Sequence, residues 1–190
     1  MGRGGHRISD EAIAISDRII GEVPQDQIYY GQGVRRPIGA QLRFRDTAEE
    51  IVFLNEAAEL YNSNQPTGGD NERPTVLLAH GTDSSSQFCQ ILLDGKLKHL
   101  IGRESYGQLG SPATVDEGGY YSCDWGLFVG TVQTVRSTRV KSDHREVPLH
   151  DLDAILFTTP IVEIVRRHFP RYGSVIKGYR QFGNELKARL

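Results

Sequence analysis

The stretch Pro74–Thr82 reads Pro-Thr-Val-Leu-Leu-Ala-His-Gly-Thr and is followed by the helix-like segment Ser84–Leu93. Within it, Val76–Ala79 is a short continuous apolar run, which is typical of a strand buried on both faces. A Ser-x-x-Gln box at the start of the second segment and Gly95 after it indicate a capped helix. The sequence therefore predicts a buried strand that ends in His-Gly-Thr, a short loop and a helix.

Two further helices are predicted ahead of this unit. The first covers 9–20, with Ser9 as its N-cap and Gly21 able to end it. The second covers about 47–61, because Thr-Ala-Glu-Glu at its start is a capping-box pattern. The polar residues 62–73 then read as a loop or a boundary.

The chain after this unit reads as short strands followed by two helices. The patterns predict a strand over 127–135, a polar basic loop over 136–145, short strands at 146–149 and 154–157, and two helices from about 160 that are interrupted at 170–173. Strands clustered late in the chain with helices outside them favour an α+β fold. We divide the chain into a helical N-terminal extension, 1–73, free to pack on the same domain, and a main region, 74–190.

Composition excludes several classes of protein. The chain carries a net charge of -2, so no global field attracts nucleic acid or a membrane surface. No apolar run reaches the roughly 18 residues that a membrane span needs. Cys89 and Cys123 are too few for a disulfide framework, and Cys89 is expected to be a core thiol. No close pair of metal ligands appears, so no metal site is expected.

Three motifs, in order along the chain, resemble the His-Tyr-Glu signature of the ADP-ribosyltransferase superfamily. They are His80-Gly81-Thr82 at the end of a strand, Asp-Glu-Gly-Gly-Tyr-Tyr-Ser with Tyr120 in the tyrosine position, and Glu146 opening a short strand. The nearest resemblance is to the catalytic domains of poly(ADP-ribose) polymerases and diphtheria-type toxins. It covers about residues 74–157 and implies an ADP-ribosyltransferase-like fold of two small packed sheets with flanking helices.

The resemblance also implies a reaction and a site. The reaction breaks the bond between nicotinamide and ribose of NAD, without a metal, and transfers ADP-ribose to a macromolecule. Glu146 would stabilise the positive charge that develops on the ribose, as in glycoside cleavage. His80 would hold a ribose hydroxyl, and Tyr120 would form a wall against the nicotinamide. The implied NAD-binding residues are His80, Gly81, Thr82, Tyr120, Tyr121 and Ser122.

The acceptor is open, with a protein favoured and single transfer favoured over polymer formation. Members that modify arginine place a second glutamate two residues before the catalytic one, where this chain has His144. A nucleic acid is a second candidate, through the basic loop 136–145 and the tail 166–189, where cations alternate with aromatic residues. The tail is expected instead to form the solvated and buried faces of terminal helices. The N-terminus lacks a secretory h-region, which predicts a cytoplasmic enzyme or an effector exported by a specialised route.

Other interpretations compete with this one. A transferase of the same fold that acts on nucleic acid ends or a 2′-phosphate, an NAD hydrolase, or a binding module without catalysis would share these motifs. An α/β-hydrolase also begins with a strand and His-Gly, but the nearest candidate for its Gly-x-Ser-x-Gly elbow, Gly102–Gly107, has one residue too many. Taken singly, His80 fits a core histidine, Tyr120 a strand aromatic and Glu146 a solvated edge charge.

Overall fold

The computed structural model describes residues 8–29, 43–44, 47–69, 73–81, 85–100, 107–108, 126–141 and 144–190. Over these ranges the chain is an α+β protein, in which helices pack around small sheets. The α+β class predicted from the sequence is confirmed. Within the same ranges, no helix has the length and apolar character that crossing a bilayer would require.

The helices and strands follow each other in the order that the sequence predicts, with some additions. The α-helices are α1 Asp10–Glu22, α2 Thr47–Ser63, α3 Ser85–Asp94, α4 Val132–Arg136, α5 Thr159–His168 and α6 Tyr179–Ala188. The strands are β1 Ile28–Tyr29, β2 Arg43–Phe44, β3 Leu77–Gly81, β4 Lys96–Leu100, β5 Gly107–Gln108, β6 Leu127–Thr131, β7 Val140–Lys141, β8 His144–Pro148, β9 Ala154–Phe157 and β10 Ile176–Gly178.

A five-stranded sheet forms the centre of the molecule, in the order β10-β9-β6-β3-β5. Strands β10 and β9 are parallel, and the other pairs are antiparallel. Because successive side chains of a strand point to opposite faces, the sheet supplies two cores. The first, the α2-side core, contains Leu77, Ala79, Leu127, Val129 and Leu156 together with residues of α2 and α6.

The second core, the α3-side core, lies on the opposite face of the same sheet. Phe128 and Phe157 project into it and meet Phe88 of α3, with ring centroids 4.3 Å and 4.5 Å apart. Helices α1 and α5 also contribute to this core. A second sheet of three antiparallel strands, in the order β4-β8-β7, covers it with Leu97 and Val147. Two small sheets therefore share one core.

The N-terminal helices pack on the same cores as the strands. Ala12, Ile19 and Val23 of the α1 region lie in the α3-side core, and α2 contributes to the α2-side core. Buried Asn62, near the end of α2, accepts a hydrogen bond from the backbone N–H of Leu77 at 2.8 Å. Helix α2 is thus attached directly to β3.

Helix α1 begins as predicted, because the Ser9 side chain accepts a hydrogen bond from the N–H of Ala12 at 3.1 Å. The expectation that Gly21 ends this helix is wrong, since α1 continues to Glu22. A glycine near a helix end costs about 1 kcal/mol relative to alanine, which the packing of α1 outweighs.

The predicted strand over 127–135 is wrong in its second half, where α4 forms. The Thr131 side chain accepts a hydrogen bond from the N–H of Thr134 at 3.1 Å and so caps a helix. The N–H of Val132 donates to the carbonyl of Val76 at 2.9 Å, which holds the first turn against the start of β3. Apolar residues continue to alternate after Thr131, so the sequence pattern predicts a strand beyond the residue that caps α4.

The tail forms two helices, as predicted, with a short strand between them that no pattern predicts. Strand β10 pairs with β9 and occupies one edge of the five-stranded sheet. The aromatic residues of the tail are buried, which agrees with the expected buried faces of terminal helices; they are Phe169, Tyr172, Tyr179 and Phe182. Their rings lie in the protein core, so they do not offer a surface on which nucleic acid bases could stack.

The backbone conformation at position 95 and the side chain packed beside it should require glycine there. Its φ is +76°, and an added Cβ would lie 3.1 Å from the hydroxyl oxygen of buried Tyr172. We expect Gly95→Ala to lower the free energy of unfolding by about 1–2 kcal/mol, because the left-handed region is unfavourable for alanine. Gly21→Ala is the control, since among the described residues no atom other than its chain neighbours and the backbone of its own helix lies within 4 Å of an added Cβ; it should raise stability by about 0.5–1 kcal/mol. Chemical denaturation measures both, and equal effects would contradict this role of Gly95.

Glu50 should anchor α2 to the start of α5. Its carboxylate is buried, and it accepts hydrogen bonds from the Thr159 hydroxyl at 2.5 Å and from the Thr159 backbone N–H at 3.2 Å. We expect Glu50→Ala to cost about 1–3 kcal/mol, because the N-terminal N–H of α5 loses its acceptor. The control Glu49→Ala removes an exposed carboxylate 3.9 Å from Arg180 and should change stability by less than about 0.5 kcal/mol. Thermal or urea unfolding measures the loss of stability in each variant. A loss in Glu50→Ala as small as that in Glu49→Ala would contradict the anchoring role of Glu50.

Candidate functional site

His80 lies near the C-terminal end of β3, the strand between β6 and the short edge strand β5 of the five-stranded sheet. It is half-buried and stands opposite Phe128 of β6 in the antiparallel register. The two rings have centroids 6.4 Å apart and are tilted by 44°. Because Leu77 and Ala79 project into the α2-side core, alternation directs His80 toward the α3 side of the sheet. The imidazole is therefore positioned by a strand, which holds it more firmly than a loop would.

Gly81 is the last residue of β3 and pairs with Leu127. Thr82, the third residue of the motif, lies outside the described residues, and α3 begins at Ser85. The predicted strand and the predicted helix are thus confirmed on either side of residues 82–84, and the loop between them lies outside the described residues. Glycine at this position leaves the backbone open to close approach by a ligand.

Glu146 lies on β8, in the three-stranded sheet. Its two carboxylate oxygens bind different lysines: Oε1 is 2.6 Å from Lys141 Nζ, and Oε2 is 2.7 Å from Lys96 Nζ. The side chain is 16% exposed, whereas those of Lys96 and Lys141 are 44% and 63% exposed. A carboxylate with low exposure is therefore held between two cations that reach solvent.

These contacts fix the charge of Glu146. Hydrogen bonds from the ammonium groups of Lys141 and Lys96 lower its pKa from 4.5 to about 2, against a smaller opposing effect of burial. Glu146 is consequently ionised at neutral pH. An ionised carboxylate can stabilise a neighbouring positive charge or accept a hydrogen bond from a hydroxyl, and the lysines can bind an anion.

The pairing of the strands explains why these residues meet. In the register of β4 with β8, Lys98 lies directly opposite Glu146, and Lys96 lies one pleat away on the same face. Val147, the next residue of β8, projects to the opposite face, into the α3-side core. Glu146 therefore occupies the outer face of the three-stranded sheet.

The predicted site residues fall into three groups. His80 and Gly81 lie on the five-stranded sheet, and Glu146 lies on the three-stranded sheet. Thr82, Tyr120, Tyr121 and Ser122 lie outside the described residues. The convergence of His80, Tyr120 and Glu146 around one ligand stays a prediction.

Sequence reasoning missed the two lysines. Lys96 is 50 residues from Glu146 and belongs to a strand, β4, that no pattern predicts. Lys141 falls in the segment 136–145, predicted as a basic loop, which instead contains β7 and the start of β8. The available signal was the excess of basic residues in that segment, directly before Glu146, because an opposite charge close to a carboxylate favours its charged form.

Other groups that could carry chemistry are less suited to it. Cys89 is free and 3% exposed, and burial raises the pKa of its thiol to about 12. It is the core thiol that the sequence predicts, and it is not a nucleophile at neutral pH. In the described ranges, no group of three or more His, Cys, Asp or Glu residues could hold a metal ion.

Comparison with the models of protein families, with curated proteins and with solved structures gives no significant match to this chain. The resemblance to ADP-ribosyltransferases thus consists of the motifs themselves and their order. The structure adds the α+β class, the position of each described motif residue and the ionisation state of Glu146.

The ion pairs of Glu146 should make a pH-dependent contribution to stability. Because its pKa in the folded chain, about 2, is below the ordinary 4.5, the unfolded chain takes up the proton first as the pH falls. The contribution is complete above about pH 4.5 and is lost as the pH falls toward about 2. We expect the free energy of unfolding to decrease more steeply with acid between these limits in the native chain than in a Lys96→Met/Lys141→Met variant.

Urea denaturation from about pH 3 to about pH 6 measures this difference. A Lys187→Met variant is the control, because Lys187 lies on α6 and contacts the Phe53 ring, 4.4 Å from its centroid. It should keep the native slope. Equal slopes in the native chain and in the double variant would contradict the assigned ion pairs.

Proposed function

We propose that this chain is an NAD-dependent mono-ADP-ribosyltransferase. Three observations support the proposal. The motif residues His80, Tyr120 and Glu146 occur in the family order. His80 and Gly81 lie at the end of β3, shortly before α3 begins at Ser85, and Glu146 lies on a strand of a second small sheet. An ADP-ribosyltransferase-like fold of two small packed sheets is part of the proposal.

The observation that carries the proposal is the place of Glu146, the third motif residue, on a strand of a second small sheet, with its ionised carboxylate on the outer face of that sheet. As nicotinamide leaves NAD, positive charge develops on the ribose, and a carboxylate near that sugar lowers the energy of the transition state. A neutral carboxyl group would supply much less stabilisation. With a pKa of about 2, Glu146 carries the required charge throughout the neutral range.

The remaining residues are proposed to bind NAD. The Gly81 backbone and the Thr82 hydroxyl hold the nicotinamide amide, and Tyr120 forms a wall beside its ring. Tyr121 and Ser122 complete that side, and His80 holds a hydroxyl of the adenosine ribose. The exposed lysines beside Glu146 fit this scheme, because NAD carries two phosphate groups that ammonium groups attract.

The reaction follows from these roles. The bond between ribose and nicotinamide breaks, and nicotinamide leaves with the electron pair of that bond. A nucleophilic oxygen, nitrogen or sulfur of the acceptor then bonds to the ribose and loses its proton. We favour a protein as the acceptor; His144 at the position of the second glutamate argues against arginine as the modified residue.

Glu146→Gln should abolish transfer. We expect the rate of nicotinamide release from NAD to fall about 100-fold or more, since the substitution removes the negative charge but keeps the shape of the side chain. The measurement is release of nicotinamide by the full chain, together with transfer of labelled ADP-ribose to proteins of a cell lysate. Glu163→Gln is the matched control, because Glu163 forms an exposed ion pair with Arg166 on α5; it should keep the native rate.

Several outcomes would contradict this proposal. Release of nicotinamide without label on any macromolecule would identify an NAD hydrolase. An unchanged rate in Glu146→Gln would remove the carboxylate from the mechanism. Labelling of the chain by a fluorophosphonate probe would favour an esterase. If the chain neither releases nicotinamide nor transfers labelled ADP-ribose, a binding module is the remaining interpretation.

A further inference from the structure

The two lysines that bind Glu146 oppose the role proposed for it. Lys141 Nζ lies 2.6 Å from Oε1 of the carboxylate, and Lys96 Nζ lies 2.7 Å from Oε2. A positive charge that develops on a bound ribose would meet the carboxylate and two ammonium groups together. Because like charges repel at short range, these cations weaken the stabilisation that the carboxylate supplies. For full stabilisation, at least one ammonium group has to leave the carboxylate or be neutralised.

Lys96 is the more firmly held of the two lysines. It belongs to β4, whose five residues all pair with β8 in antiparallel register. The next residue, Leu97, is buried in the α3-side core. The backbone N–H of Leu149, directly after β8, donates to the carbonyl of Gly95, directly before β4, at 3.0 Å. The backbone of Lys96 is therefore fixed by its strand partner and by the core.

Lys141 is held by fewer contacts. It lies on β7, which has two residues, both exposed, and both pair with β8. The side chain of Lys141 is 63% exposed, whereas that of Lys96 is 44% exposed. Exposed ion pairs contribute little to stability, because water and dissolved salt compete for both charges. Lys141 therefore exchanges its partner more readily than Lys96.

The proposed substrate contains a group that would draw such a lysine away. In NAD, a diphosphate is attached to the same ribose from which nicotinamide leaves. A diphosphate is negatively charged and offers several acceptor oxygens, and an ammonium group binds phosphate as a point charge. The diphosphate also neutralises the cation that it binds, so that this cation no longer opposes the charge on the ribose.

We propose that Lys96 is a positioning residue that holds the Glu146 carboxylate in place, whereas Lys141 exchanges this carboxylate for the diphosphate of NAD when the dinucleotide binds. The inference rests on the proposed function and assigns different roles to the two lysines. Without NAD, both lysines bind Glu146. With NAD bound, Oε1 of Glu146 accepts a hydrogen bond from a ribose hydroxyl in place of the Lys141 ammonium group. The substrate thus activates the carboxylate that acts on it.

Steady-state kinetics of nicotinamide release by the full chain tests this division of roles. Lys96→Met should lower kcat on the order of tenfold and leave KM near the native value, because loss of orientation outweighs removal of one opposing charge. Lys141→Met should raise KM roughly fivefold, on the scale of an exposed ion pair. Its kcat should be native or higher, since one cation that opposes the ribose charge is gone. Lys141→Arg should restore most of the native KM, because arginine also binds phosphate.

The pH profile of kcat distinguishes positioning from a structural role. This profile reports the groups of the enzyme–substrate complex, in which Lys96 remains at Glu146 and Lys141 has left. The acid limb should therefore move to higher pH in Lys96→Met, since Lys96 lowers the pKa of Glu146, and should stay native in Lys141→Met. Lys98, directly opposite Glu146 on β4, is present in both variants.

Lys187→Met is the control for removal of a lysine. Lys187 lies on α6 and contacts the Phe53 ring, away from Glu146. This variant should keep the native kcat, KM and pH profile. Circular dichroism and thermal unfolding establish that each variant is folded.

Nuclear magnetic resonance tests the exchange without catalysis. Inorganic diphosphate is added to the isotope-labelled chain, and the lysine ammonium and Glu146 carboxylate resonances are followed. We expect the resonances of Lys141 and Glu146 to shift with one dissociation constant. The resonance of Lys96 should shift much less, because Lys96 keeps its partner.

The outcomes separate this inference from the proposed function. If the native chain releases nicotinamide but Lys96→Met and Lys141→Met change kcat and KM alike, the division of roles is wrong and the proposed function stands. If the native chain releases no nicotinamide, the proposed function is wrong, and the diphosphate titration decides on the exchange alone. Shifts of Lys141 and Glu146 without Lys96 support the exchange, whereas equal shifts of both lysines, or no shift, overturn it.

Discussion

The antiparallel pairing of β3 with β6 is the constraint on which the rest of the structure depends. These two strands lie inside the five-stranded sheet and are covered on both faces. Leu77 and Ala79 project to one side and His80 to the other, so a shift of the register by one residue would exchange the two sets. The same pairing that buries the cores therefore fixes the direction of the His80 side chain.

The second sheet depends on the first through the α3-side core. Helix α3 connects β3 to β4, and Leu97 and Val147 cover the aromatic cluster around Phe88. Because Val147 must face this core, its neighbour Glu146 must face outward, toward the lysines. Hydrophobic packing on one side of β8 thus determines the electrostatic environment on the other side.

Local signals in the sequence predict much of the fold. The cap at Ser9 and the turn at Gly95 act through neighbouring backbone atoms, so the start of α1 and the end of α3 follow from a few consecutive residues. Strands β4 and β10 become visible only through their partners, β8 and β9. Their pairing is a long-range contact that no local pattern contains.

The candidate site divides in the same way. His80, Gly81 and Glu146 were identified from motifs, whereas Lys96 and Lys141 became visible only when β4, β8 and β7 were paired. The lowered pKa of Glu146 is thus a property of the tertiary structure. The sequence predicts a carboxylate at this position, and the folded chain supplies the lysines that lower its pKa to about 2.

The central claim is that His80 of one sheet and Glu146 of the other bind the same dinucleotide. Nuclear magnetic resonance tests it most directly, by titration of the isotope-labelled chain with a non-hydrolysable analogue of NAD. We expect the His80 ring and the Glu146 carboxylate resonances to shift together, with one dissociation constant. If only one of the two responds, or if they respond with different dissociation constants, the claim is contradicted.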